Sequence, residues 1–156
     1  MPWRKELDEL RRRHELAEQM GGPEGIARQH KRGKLTVRER IEKLVDPGSM
    51  REFMGLRGSA QYEGGQLIAF TPRPSVEGVC KLDGRKVILT AGDFTVRGGS
   101  AGSAGGGLGS ELASNQRALE WLLPYVRLLA SAGGSVRSFE EIGRTQLGPT
   151  ADPYLP

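Results

Sequence analysis

A glycine pair, Gly133 and Gly134, placed directly after the apolar run 124–130 (PYVRLLA), constrains the fold of this chain more than any other feature. The run reads as a buried strand, 131–135 as a turn, and 136–142 as the start of a helix. Glycines at such a junction leave backbone N–H groups bare and let them approach a ligand closely. Donors of that kind can hold an oxyanion in an acyl-transfer or enolate site. A second glycine turn, RGGS at 97–100, follows another strand-like run, 86–96. Two glycine loops after two strands point to an α/β enzyme that recognises its ligand with backbone. Glycine pairs between elements are more often plain turns or helix caps, so other features must carry the reading.

Hydrophobic residues make up 37% of the 156, and 23 are glycine, about twice ordinary usage. A loop-rich chain with so thin a core is either stabilised by a partner or part of a larger domain. Between Arg28 and Lys43 there are seven basic residues against two acidic ones, a local excess larger than the net +4 of the whole chain. Such a cluster suits a phosphate-bearing partner, and equally a solvated helix face. The single cysteine, Cys80, excludes an internal disulfide, and with two histidines it cannot build a zinc finger, so no metal site is expected. A charged N-terminus without an apolar core is not a secretory signal, and no apolar stretch approaches membrane-spanning length. A soluble, cytoplasmic protein is expected.

Along the chain, Trp3, Leu7, Leu10, Ala17 and Met20 recur at helical spacing, and the GGP at 21–23 stops that helix. A short second helix runs from Pro23 to about His30. Thr36 and Glu39 form a capping box for a third, which ends near Val45, and DPGS at 46–49 is a turn. Residues 50–75 are poorly patterned and are expected to form short strands and loops. Residues 76–82 read as a strand, Asp83-Gly84 as a hairpin turn, and 87–90 as the returning strand, reaching 93–96. Residues 98–109 have the composition of a flexible linker or a ligand-ordered loop. Residues 110–123 have helical spacing, and Pro124 opens the last strand.

Three segments resemble one family. IARQHKRGKLTVRERI at 26–41 with DPGS at 46–49, GDFTVRGGS at 92–100, and LPYVRLL at 123–129 with GGSVR at 133–137 are similar, in order, to motifs of the carboxyltransferase (β) subunits of biotin-dependent acyl-CoA carboxylases. Propionyl-CoA and methylcrotonyl-CoA carboxylase are of this type. The resemblance implies a crotonase-like fold of repeated ββα units, which transfers a carboxyl group from carboxybiotin to the α-carbon of an acyl-CoA. It implies an oxyanion hole at the N–H groups of Gly133 and Gly134, with Ser135 beside them. It implies a wall of the CoA channel at Gly98, Gly99 and Ser100. Lys31, Arg32, Lys34 and Arg38 become candidates for the CoA phosphates, with surface or protomer contacts as the alternative. No cofactor is bound directly; biotin is carried by a partner protein or domain, and homo-oligomers are expected.

The chain departs from the family at Ala130 and Ser131, where an acidic residue is usual, and at 103–109, which separates the first glycine loop from Glu111. Family subunits are several times longer, and their carboxybiotin site lies in a second crotonase-like domain. The expected organisation is a helical arm at 1–46, an incomplete acyl-CoA carboxyltransferase domain at 47–147 and an irregular tail at 148–156, inactive by itself. Its completing partners would be another protomer or the remaining half, and a biotin carboxyl carrier or biotin carboxylase subunit. The rival is an inactive remnant or a non-catalytic assembly protein. A nucleotide-binding loop is disfavoured because GGGLG at 105–109 lacks the last glycine of the dinucleotide fingerprint and no P-loop is present. Nucleic acid is disfavoured because aromatic residues, 6% of the chain, do not interleave with the basic cluster.

Overall fold

The computed structural model describes residues 3–100 and 108–132. The chain opens with three helices, α1 (Arg4–Glu18), α2 (Gly22–Lys31) and α3 (Val37–Leu44), as helical spacing over 3–45 predicts. The capping box is present: Glu39 N–H donates to Thr36 Oγ1 at 3.3 Å, and Thr36 N–H donates to Glu39 Oε2 at 2.7 Å. His30 Nε2 sits 3.0 Å from the same carboxylate oxygen. The bond to His30, then the two to Thr36, hold the Glu39 carboxyl at about 2 against an ordinary 4.5. A depressed carboxyl stabilises the fold above its unfolded value and loses that contribution as pH falls through its folded value. Acid titration followed by circular dichroism is therefore expected to show a helix loss between about 4.5 and about 2 that Glu39→Gln lacks.

Among the described residues six strands follow: β1 (Arg51–Phe53), β2 (Gly58–Glu63), β3 (Gln66–Pro72), β4 (Ser75–Leu82), β5 (Arg85–Gly92) and β6 (Tyr125–Leu128), with α4 (Leu108–Glu120) between the last two. One sheet has the order β1-β4-β5-β6. Its first three strands are antiparallel, and β6 runs parallel to β5. The Asp83-Gly84 turn joins β4 to β5 with φ of 50° and 78°, the two left-handed residues that a tight hairpin turn requires. The DPGS turn clasps this hairpin: Asp46 accepts from the amides of Asp83 and Gly84 at 2.9 and 2.8 Å, and Ser49 Oγ accepts from Lys81 N–H at 3.0 Å.

Strand β5 is buried on both faces, which is why its sequence is a continuous apolar run rather than an alternating one. Val87, Leu89 and Ala91 meet Val76 and Cys80 of β4 and Val37 and Ile41 of α3 in one apolar cluster. The other face carries a polar layer under α4. Buried Glu77 accepts from Ser114 Oγ at 2.6 Å, and Tyr125 Oη donates to Thr90 Oγ1 at 3.1 Å. The β2–β3 hairpin forms a separate small sheet turned by Gly64-Gly65. Its link to the rest is α1, where Tyr62 donates to Glu9 at 2.7 Å and its ring lies 5.7 Å from the Arg13 guanidinium.

Two local expectations change. The strand-like run 86–96 stops at Gly92, because Asp93 turns the chain out of the sheet: its N–H goes to Pro74 O at 2.9 Å and its side chain accepts from the Thr95 amide and hydroxyl. The run 124–130 does form a strand, but a half-buried one at the end of the sheet rather than a buried one.

Candidate functional site

Because β5 and β6 are parallel neighbours, the loops that follow them leave from the same edge of the sheet. Ligand sites of α/β sheets form at such carboxyl ends. The segment 130–132, which leads toward the second glycine pair, is thereby brought beside the first glycine turn. The described part of the second loop touches the first directly. Ala132 N–H donates to Gly98 O at 2.9 Å. A Cβ on Gly99 would lie 2.3 Å from Ala130 O, and one on Gly92 would lie 3.1 Å from Ala130 N and O. Only bare backbone lets these segments meet so closely.

The first loop is an unusual turn. Arg97, Gly98 and Gly99 have φ of 49°, 67° and 72°, three left-handed residues in succession. Its amides are turned inward: Gly99 N–H donates to Val96 O at 2.9 Å and Ser100 N–H to Arg97 O at 3.2 Å. These two donors are spent within the turn. The expected donors, Gly133 and Gly134, and their neighbour Ser135 lie outside the described residues, as does the helix expected from Val136.

The basic segment divides by role. Arg38 is engaged at the surface, 3.0 Å from Glu52 and 3.3 Å from Glu18 O. Arg28 pairs with Glu24 at 3.7 Å, and Arg32 lies 5.9 Å from the Phe94 ring. Arg40 reaches across to the site edge, donating to Gly92 O and Leu129 O at 3.3 Å each. Lys31 and Lys34 are exposed, with no ion pair to another described residue. Lys43 is exposed in the same way, and these three lysines are the cations of this segment most available to a phosphate. Among the described residues no group of His, Cys, Asp and Glu is placed to hold a metal ion, and no helix is long and apolar enough to cross a membrane.

Comparison with known proteins decides the family. The carboxyl transferase domain matches residues 28–147. The chain belongs to the carboxyl transferase domain family. The carboxyltransferase subunit of propionyl-CoA carboxylase from Haloferax mediterranei is 37% identical over 133 residues, covering 84% of this chain and 25% of that protein. A probable biotin-dependent acyl-coenzyme A carboxylase beta2 subunit from Mycobacterium tuberculosis is 37% identical over 136 residues, covering 87% and 24%. Among solved structures, transcarboxylase 12S superposes with a TM-score of 0.71 at 30% identity, covering 85% of this chain and 26% of the other. The chain thus spans about a quarter of each of the relatives named here. Its helices and mixed sheet are a part of the crotonase-like carboxyltransferase fold, with α4 as the crossover from β5 to parallel β6.

Sequence reasoning missed three contributors to the site edge: Arg40, and the pair of Thr95 and Gly21, where Thr95 Oγ1 accepts from Gly21 N–H at 3.1 Å beside the turn at 97–99. Arg40 was one charge among seven, Thr95 one residue of a supposed strand, and Gly21 a helix stop. A signal for Gly21 was present: two glycines precede Pro23 where one would end the helix.

Proposed function

We propose that this chain is the acyl-CoA-binding part of a biotin-dependent acyl-CoA carboxyltransferase. The observation that supports the reading is the parallel β5–β6 pair, which brings the segment 130–132 against the turn at 97–99 within a chain of this family. On this reading the thioester carbonyl lies against the N–H groups of Gly133 and Gly134. Removal of the α-proton places negative charge on that oxygen, and each backbone donor stabilises it by roughly 2.7–4 kcal/mol. Carboxybiotin, when brought by its carrier, would supply the carboxyl carbon to the α-carbon, and the ureido nitrogen it frees would take up the α-proton. Biotin is carried by a partner protein or domain, and no described residue is assigned to it. Gly98, Gly99 and Ser100 wall the CoA channel, and Lys31 and Lys34 meet its phosphates, with Arg38 beside them.

Calorimetric titration with propionyl-CoA tests the reading. Saturable binding is expected. It should weaken as salt rises from about 0.01 to 1 M, over which the screening length shrinks from roughly 30 to 3 Å. Lys31→Ala with Lys34→Ala should flatten that salt dependence, and Gly134→Pro should weaken binding by deleting an amide donor. Absence of binding at millimolar propionyl-CoA would contradict the proposal. Carboxyl transfer is expected only when the rest of a carboxyltransferase is supplied, because both reactants must be held in near-attack geometry.

A further inference from the structure

One short stretch, 93–99, combines a buried unpaired carboxylate oxygen with a left-handed non-glycine residue. Asp93 is 1% exposed, yet its Oδ2 has no hydrogen-bond partner among the described residues. Burying a polar atom without a partner is unfavourable and rare. Arg97 is a non-glycine residue at φ 49°, followed by two left-handed glycines. Backbone strain of this kind persists only where the surroundings over-determine it, and it clusters at functional sites.

The surroundings are the corner between α1 and α2. Gly21 N–H donates to Thr95 Oγ1 at 3.1 Å, and that hydroxyl donates to Asp93 Oδ1 at 2.5 Å. Asp93 Oδ1 also accepts from Thr95 N–H. The corner is pressed onto the turn: a Cβ on Gly21 would fall 2.2 Å from Thr95 O, and one on Gly25 would fall 3.3 Å from it. On the far side the same turn holds the second loop, through Gly98 O and Ala132 N–H and through the close approach of Gly99 to Ala130. A continuous path of contacts runs from the helical arm, through Thr95 and Asp93, to the residues entering Gly133.

We infer that Asp93 and Thr95 are positioning residues of the glycine-loop site, using the Gly21 amide to anchor the Arg97–Gly99 turn and, through it, the strand-end segment 130–132. The helical arm is then part of the site's machinery rather than a separate appendage. The role in acyl-CoA recognition rests on the function proposed above; the anchoring itself does not.

Residue-resolved hydrogen exchange on the whole chain tests the anchoring. Thr95→Val keeps the shape and deletes the hydroxyl. Exchange at the amides of Gly99, Ser100 and Ala132 is expected to accelerate roughly tenfold, the worth of about one hydrogen bond. Ile88 and Leu89, in the core of β5, should stay within about twofold, and Thr95→Ser should restore the wild-type rates. Unchanged rates at Ala132, or equal acceleration everywhere, would overturn the inference, the latter because it reports general destabilisation. A measurement without any variant guards against a misfolded mutant. With denaturant added to the wild-type chain, Gly21, Gly99 and Ala132 should open as one unit. Opening of Gly21 separately from Ala132 would also overturn it. Propionyl-CoA titration of the same variants addresses the other premise. Failure of the wild-type chain to bind refutes the acyl-CoA reading and leaves the exchange result to decide the anchoring. Binding that weakens in Thr95→Val and recovers in Thr95→Ser supports both.

Discussion

Gly99→Ala is expected to destabilise the fold by roughly 2–5 kcal/mol, from a left-handed backbone penalty of about 1–2 and an overpacking penalty of about 1–3. The residue sits at φ 72°, and its added Cβ would meet Ala130 O at 2.3 Å and Ser131 Cα at 2.9 Å. Both obstacles are backbone, so no rotamer change relieves them. Gly84→Ala is the control: it has φ 78° and nothing within 4 Å of an added Cβ, so it carries the left-handed penalty alone. In thermal unfolding Gly99→Ala should fall on the order of 10 °C, with Gly84→Ala losing about half as much or less. Equal losses would show that the two glycine loops do not press on each other. The effect also bears on function, because a displaced Ala130 moves the entry to Gly133.

Leu89→Ala should cost about 2–5 kcal/mol, the range for a large aliphatic side chain deleted from a packed core. Leu89 is fully buried at the centre of β5, in the cluster that joins β4 and β5 to Val37 and Ile41 of α3. The core is small, and several large apolar residues lie outside it: Leu122 is 91% exposed and Leu129 72%. One cavity therefore removes a large share of a stability that is only about 5–15 kcal/mol in ordinary domains. Denaturant unfolding of the variant checks this; a loss below about 1 kcal/mol would mean the α3–sheet interface is not what holds the chain together.

Features encoded within a few residues were legible in the sequence. The Thr36–Glu39 box, the Asp83-Gly84 turn and the DPGS turn each need only local chemistry, and each is present. Strand β5 was legible because burial on both faces leaves an unbroken apolar run. Its end was not. Val96 is buried like a strand residue, at 4% exposure, and nothing in the apolar pattern shows that Asp93 has already turned the chain. The β2–β3 hairpin was obscure for the opposite reason: β2 is mostly exposed, so no alternation marks it, and its partner α1 lies about fifty residues away in sequence. The family was legible in three short motifs, and the turn at 97–100 in its glycines. What composition could not show was that β5 and β6 run parallel, and that parallel pairing is what sets 130–132 beside the turn at 97–99.

The most direct measurement is an amide-resolved magnetic resonance titration of the whole chain with propionyl-CoA. The account predicts saturable shifts concentrated at the amides of 97–100 and 131–135, with smaller ones at Lys31 and Lys34, and little change in the β2–β3 hairpin. Shifts confined to the hairpin or to α1, or none at millimolar propionyl-CoA, would contradict an acyl-CoA site at the carboxyl ends of β5 and β6.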